Sequence, residues 1–263
     1  MKTNPFEKIG ETFIYASNRA GQLAFMIKST VIWFFKAPVE YGEIVKQSVR
    51  LGVNSVGVVM LTGLFTGMVL ALQTGYTSIS LFNEPLYIGT VVGFSIVKEL
   101  GPVLTAMVVA GRAGAAVTAE IGTMKVTEQI DALYTLGTNP SRYLLIPRYF
   151  AFFITLPILT IIADFLGVLG GFAVAMIKLR IPSTVYWDNI FIYMDISNFM
   201  HGFLKTFFFA FIIATVSCYK GLKTEGGAEG VGKATTESVV GSMLLVLVFD
   251  YFISAFFIVI GLI

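Results

Sequence analysis

The chain is poor in charge. Only 13% of its 263 residues are Asp, Glu, Lys or Arg, where a water-soluble domain carries about 25%, and its mean hydropathy is +0.82. That shortage places it in a membrane. A single cysteine, Cys218, excludes an internal disulfide, and with His201 as the one histidine there is no Cys/His metal cluster. Cys218 lies in an apolar run and reads as a small buried hydrophobe. No HExxH or paired-carboxylate pattern appears, so no metal, cofactor or catalytic group is expected. A net charge of +2 gives no footing for nucleic acid. No uninterrupted apolar core precedes a small-residue cleavage site, and no plastid transit peptide is visible.

What is abundant is apolar sequence, and it falls into five runs long enough to cross a bilayer. They cover residues 51–72 (closed by Leu72), 86–111, 149–177, 199–219 and 239–263. The expected fold class is an all-α integral membrane protein, a single transmembrane domain over residues 1–263. Connections are expected at 73–85, 178–198 and 220–237. Within residues 1–50, Phe6, Ile9, Phe13, Ala16, Ala20, Leu23 and Ile27 recur at three- and four-residue steps. That is the period of an amphipathic helix lying in the interface. Basic residues divide unevenly. Arg112, Lys125, Arg142 and Arg148 follow the second run, and Lys220, Lys223 and Lys233 follow the fourth, whereas 73–85 has no Lys or Arg. By the positive-inside rule the amino terminus is cytoplasmic and the carboxy terminus is outside.

The second run carries Lys98 and Glu99 near its middle. Each costs about 2.5–3.5 kcal/mol there, against about 0.3–0.6 kcal/mol returned by each large apolar residue. They are therefore expected to face protein or water, with Asp164 or Asp250 as a partner for Lys98. Pro102 coincides with them and frees a backbone carbonyl, expected to be that of Lys98 four residues back. Charge and unpaired backbone at one depth mark transport sites in membranes; a structural ion pair at a helix kink is the competing reading. Tyr87 stands toward the outer end of the same run. Gly63 and Gly67 form a GxxxG pattern in the first run, and Gly167 and Gly171 a similar pair in the third.

After the second run, an amphiphilic segment from Glu120 to Leu133 places Lys125, Glu128 and Asp131 at helical spacing, with Gln129 among them. The stretch ELGPVLTAMVVAGRAGAAVTAEIGTMKVTEQIDAL resembles the signature region of the MlaE family, the permease subunits of ABC-type lipid transporters. A second stretch, GVGKATTESVV at 230–240, resembles that family's sequence ahead of its last span. The residues around it also fit GxxxxGK. Ala234 stands where a phosphate-binding loop needs Ser or Thr, and a membrane span precedes it instead of a strand, so the motif is not read as nucleotide-binding.

The resemblance implies a non-enzymatic permease subunit powered by a separate ATPase dimer. The coupling helix would comprise Glu120, Lys125, Glu128, Gln129, Asp131 and Leu133. It further implies a homodimer whose cavity holds phospholipid, with Lys98, Glu99, Leu72 and Tyr87 as candidate lining residues. A periplasmic MCE-domain lipid carrier, the bacterial inner membrane and upkeep of outer-membrane lipid asymmetry complete that expectation. A secondary transporter or a lipid-modifying enzyme is the alternative. The former is disfavoured by the lack of an internal repeat, the latter by the scarcity of polar groups.

Overall fold

A computed structural model describes residues 14, 17–18, 21–32, 41–82 and 87–261. Five helices in it are long and apolar enough to cross a membrane, and no strand occurs among the described residues. Residues 21–32 form a helix, α1, that buries Met26 and Thr30. Most of the amphipathic pattern ahead of it (Phe6, Ile9, Phe13, Ala16 and Ala20) lies outside the described residues. The spans are α2 (Tyr41–Leu81), α3 (Ile88–Val126), α5 (Ser141–Ile177), α7 (Ile196–Leu222) and α8 (Gly227–Ile260). Two short helices stand between them, α4 (Gln129–Thr135) and α6 (Ser183–Tyr193).

Helix runs well past the apolar runs that announce it. The expected connection at 73–85 is helical as far as residue 82. The expected loop at 178–198 contains α6, whose Tyr186 is fully buried and donates to the Val168 carbonyl at 3.0 Å. The glycine-rich stretch at 220–237 is helical from Gly227 onward. Composition misleads there because α8 is anchored by contacts that propensity does not count. Thr118 Oγ1 lies 2.8 Å from Ser238 Oγ, and Lys220 reaches Glu237 at 2.6 Å. Gly226, which caps the helix, and Gly227, its first residue, are both at positive φ, the backbone state glycine adopts at least cost. The GxxxxGK residues thus lie on a helix, which no phosphate-cradling loop does.

The tightest crossing is between α2 and α5. A Cβ on Gly63 would sit 2.6 Å from the Ala163 carbonyl oxygen, and one on Gly67 would overlap the carbonyl of Gly167. A Cβ on Gly170 would likewise meet the Leu64 carbonyl. The small-residue pairs of the first and third spans therefore pack against each other within one chain, because in lipid close backbone approach and dispersion replace the hydrophobic drive. Two apolar cores result. The larger joins α3, α5, α7 and α8 around Phe152, Leu156, Phe209 and Ile213. The smaller lies near the other end of the bundle, around Ile88, Val92, Val174 and Tyr186.

Candidate functional site

The α3 helix is locally widened to a π turn at Ile96–Leu100, where the N–H of Gly101 bonds back to the Ile96 carbonyl. Pro102 explains the widening, since it has no N–H to give and its ring crowds the preceding turn. In this register the bond Pro102 cannot make would run five residues back, to Val97, and not to Lys98 as the four-residue count suggests. The Val97 carbonyl packs directly onto the Cα of Gly202 in α7, where any Cβ would overlap it. The turn thus brings α7 unusually close, and the residue one turn further along α7 is Lys205.

Lys205 has a fully buried side chain, and its ammonium makes ion pairs with Glu99 and with Asp250, the latter at 2.9 Å. Ser254 Oγ lies 2.8 Å from the Asp250 carbonyl and 3.3 Å from Glu99 Oε1, so its single proton serves one of them at a time. At roughly 1.5 Å per residue, Glu99, Lys205 and Asp250 each stand about 14–17 Å from the same end of their helices, close to mid-bilayer. The Glu99 side chain is 42% exposed and that of Asp250 21%. The cluster therefore has a buried cation at its back and a carboxylate at its open front.

Lys98 does not take the partner expected for it. Asp250 goes to Lys205, Asp164 pairs with no described cation, and the Lys98 ammonium sits 5.4 Å from the centre of the Phe94 ring. It remains close enough to Glu99 and Lys205 to feel both charges. Two carboxylates and two ammonium groups thus give the region no net charge. The other two lining candidates stand elsewhere. Tyr87 lies about 18 Å along α3 from Glu99, at positive φ, with its ring edge-on to Tyr193 at 6.0 Å. Leu72 is partly exposed on α2 beside Ala71, which belongs to the smaller core.

The Glu120–Leu133 segment is also built differently from expectation. Glu120 and Lys125 lie on the last turns of α3 itself, which runs to Val126. Glu128 then adopts a left-handed backbone, and a new helix, α4, begins at Gln129. Lys125, Glu128 and Asp131 therefore share no continuous helical face. Lys125 instead bridges the break to Asp131 at 3.1 Å. Glu120 is held by Arg50 at 2.9 Å and Arg148 at 3.2 Å, tying α3 to α2 and α5. Leu133 packs toward the larger core, whereas Tyr134 and Leu136 are exposed.

Lys205 is the functional candidate that sequence reasoning passes over. The signal is present: a lysine inside the fourth apolar run carries the same insertion cost as Lys98. What sequence does not show is that Gly202 lets its helix reach Glu99.

A charge cluster at mid-depth in a polytopic helical membrane protein is the feature that marks intramembrane transport sites. Comparison with known proteins fixes the family. The family model described as Permease MlaE matches residues 44–256, and the chain belongs to that family. It is 43% identical to a probable ABC transporter permease protein of Rickettsia typhi, over 97% of this chain and 98% of that one. It is 40% identical to a probable ABC transporter permease protein of Synechocystis, over 80% and 79%. It is 35% identical to the intermembrane phospholipid transport system permease protein MlaE of Haemophilus influenzae, over 97% and 98%.

Proposed function

We propose that this chain is the permease of an ABC-type phospholipid transporter of the bacterial inner membrane. In this reading it works as a homodimer, with a separate ATPase dimer below it and an MCE-domain lipid carrier outside. The observation that carries the reading is the Glu99–Lys205–Asp250 cluster. A phospholipid has a charged head and two apolar tails, so its path needs few polar groups, deeply placed, in walls that are otherwise apolar. Glu99 meets that description. It is half-exposed at mid-depth and anchored from behind by a buried ammonium. Lys98, on the same turn but about 100° around the helix, supplies the opposite charge.

Coupling follows from continuity. Helix α3 carries Glu99 at mid-depth and runs unbroken to Val126, where Glu128 and α4 form a short knob held by the Lys125–Asp131 pair. In the proposed orientation this knob faces the cytoplasm, and Glu128, Tyr134 and Leu136 offer the ATPase its contact. A push on α4 is then delivered along one continuous helix, through a second π segment at Ala110–Gly114, to the π turn at Ile96–Leu100.

The experiment is reconstitution of the assembled transporter with Glu99→Gln. Lys205 keeps Asp250 in that variant, so a folded complex with a small change in melting temperature is expected. It should move lipid between proteoliposomes poorly, or hydrolyse ATP without moving lipid. Normal lipid transfer by the Glu99→Gln complex would overturn the site assignment.

A further inference from the structure

Asp164 is a third intramembrane carboxylate, and the cluster described above does not use it. It stands on α5 at the crossing with α2 and α3, is 7% exposed, and its Oδ1 has no hydrogen-bond partner. That oxygen is aimed at α3. It and the Ile96 carbonyl oxygen both lie within 3 Å of the point where a Cβ on Gly101 would sit. The Ile96 carbonyl already accepts from Gly101 N–H and keeps its second lone pair. Two acceptor oxygens thus crowd one small space with no protein donor between them.

A second observation lies one helical turn away. Thr105, one turn along α3 and 2% exposed, also has an unpartnered Oγ1. It borders a void of about 10 Å³ lined also by Ile96, Gly101 and Ala163, room for about one water-sized particle; Asp164 meets this lining at Gly101 and does not itself border the void. An ionised carboxylate left unpaired at such depth costs several kcal/mol. Among the described residues, no charged group on a neighbouring element pairs with Asp164. Lys98 lies over Phe94, Glu99 and Asp250 bind Lys205, and His201 packs edge-on against Phe257 at 4.9 Å with both ring nitrogens unpartnered. The α2 residues that face the void are Val59, Thr62, Gly63 and Thr66, none of them charged.

We propose that Asp164, with the Ile96 carbonyl and the Thr105 hydroxyl, binds a single small monovalent cation, a proton or a sodium ion. The bound cation joins α5 to the π turn that presents Glu99. Without it, two acceptor oxygens repel across the crossing and the turn loosens.

The full-length chain, purified with its partners, allows the test. If the cation is a proton, the infrared spectrum contains the C=O stretch of a protonated carboxyl that Asp164→Asn removes. The wild-type melting temperature then falls by several degrees relative to Asp164→Asn as pH rises, because the folded state loses a proton it had bound. If the cation is sodium, NaCl at fixed alkaline pH raises the wild-type melting temperature saturably. Choline chloride does not, and Asp164→Asn and Thr105→Val respond weakly or not at all. Should Asp164→Asn fail to fold, Asp164→Glu keeps the carboxyl and should shift the infrared band or the sodium midpoint. A wild type with neither the band nor a sodium response would overturn the proposal, as would either signal persisting unchanged in Asp164→Asn.

Discussion

At the scale of single residues, Lys205 decides the character of the interior. Its ammonium has no water to turn to and two carboxylates to satisfy, so its removal leaves Glu99 and Asp250 facing each other. Breaking a buried pair by deleting one member costs about 3–5 kcal/mol; exposure of Glu99 favours the lower end here. Lys205→Met should therefore lower the melting temperature clearly, while the triple change Lys205→Met, Glu99→Gln and Asp250→Asn should recover most of that loss without restoring lipid transfer. Thermal melts and proteoliposome transfer on the same preparations read both. A Lys205→Met protein as stable as wild type would show that the cluster is looser than its distances say. The sequence exposed Lys98 and Glu99 through their cost, yet the partners it offered Lys98 are not the ones it takes, and it named none for Glu99. Partner choice depends on which helix lies behind which, and adjacent residues on a helix never share a partner by spacing alone.

At the scale of elements, glycine positions separate crossings from surface. Gly67 touches the backbone of Gly167, whereas a Cβ on Gly57, ten residues earlier on the same helix, would meet nothing within 4 Å. Overpacking against backbone cannot be relieved by a rotamer change, so Gly67→Ala should cost about 1–3 kcal/mol or more, and Gly67→Leu should abolish the folded protein. Gly57→Ala should be silent. Size-exclusion profiles and melts of the three variants check this. The α4 knob gives the second element-scale prediction. Tyr134→Ala with Leu136→Asp should sharply reduce ATPase copurification at unchanged stability, because both side chains are exposed. Leu133→Asp should instead lower the melting temperature, since Leu133 faces the core. Unimpaired copurification in the double variant would move the ATPase contact elsewhere. Hydrophobic period revealed that this segment is helical and amphiphilic. It did not reveal the break at Glu128, because a left-handed glutamate has no signature in composition.

At the scale of the whole molecule, the Lys and Arg asymmetry predicts which face is which. A cysteine placed at Ile79 should react with an impermeant thiol reagent outside intact spheroplasts, and one at Thr127 only after lysis. The native Cys218 is fully buried and should add little background. The opposite pattern would invert the orientation and remove α4 from the cytoplasm.

The sequence by itself determined that the chain is a five-span helical membrane protein, because insertion cost is summed residue by residue and needs no knowledge of neighbours. It also determined the family, through long runs of matched residues around Glu99 and again before the last span. Only the tertiary structure decided that Gly63 and Gly67 meet Ala163 and Gly167 inside one chain, that the glycine-rich stretch from Gly227 is helix, and that Glu99 and Asp250 both pair with Lys205. Those outcomes turn on helix crossings, where the approach of one backbone to another selects which buried charges meet.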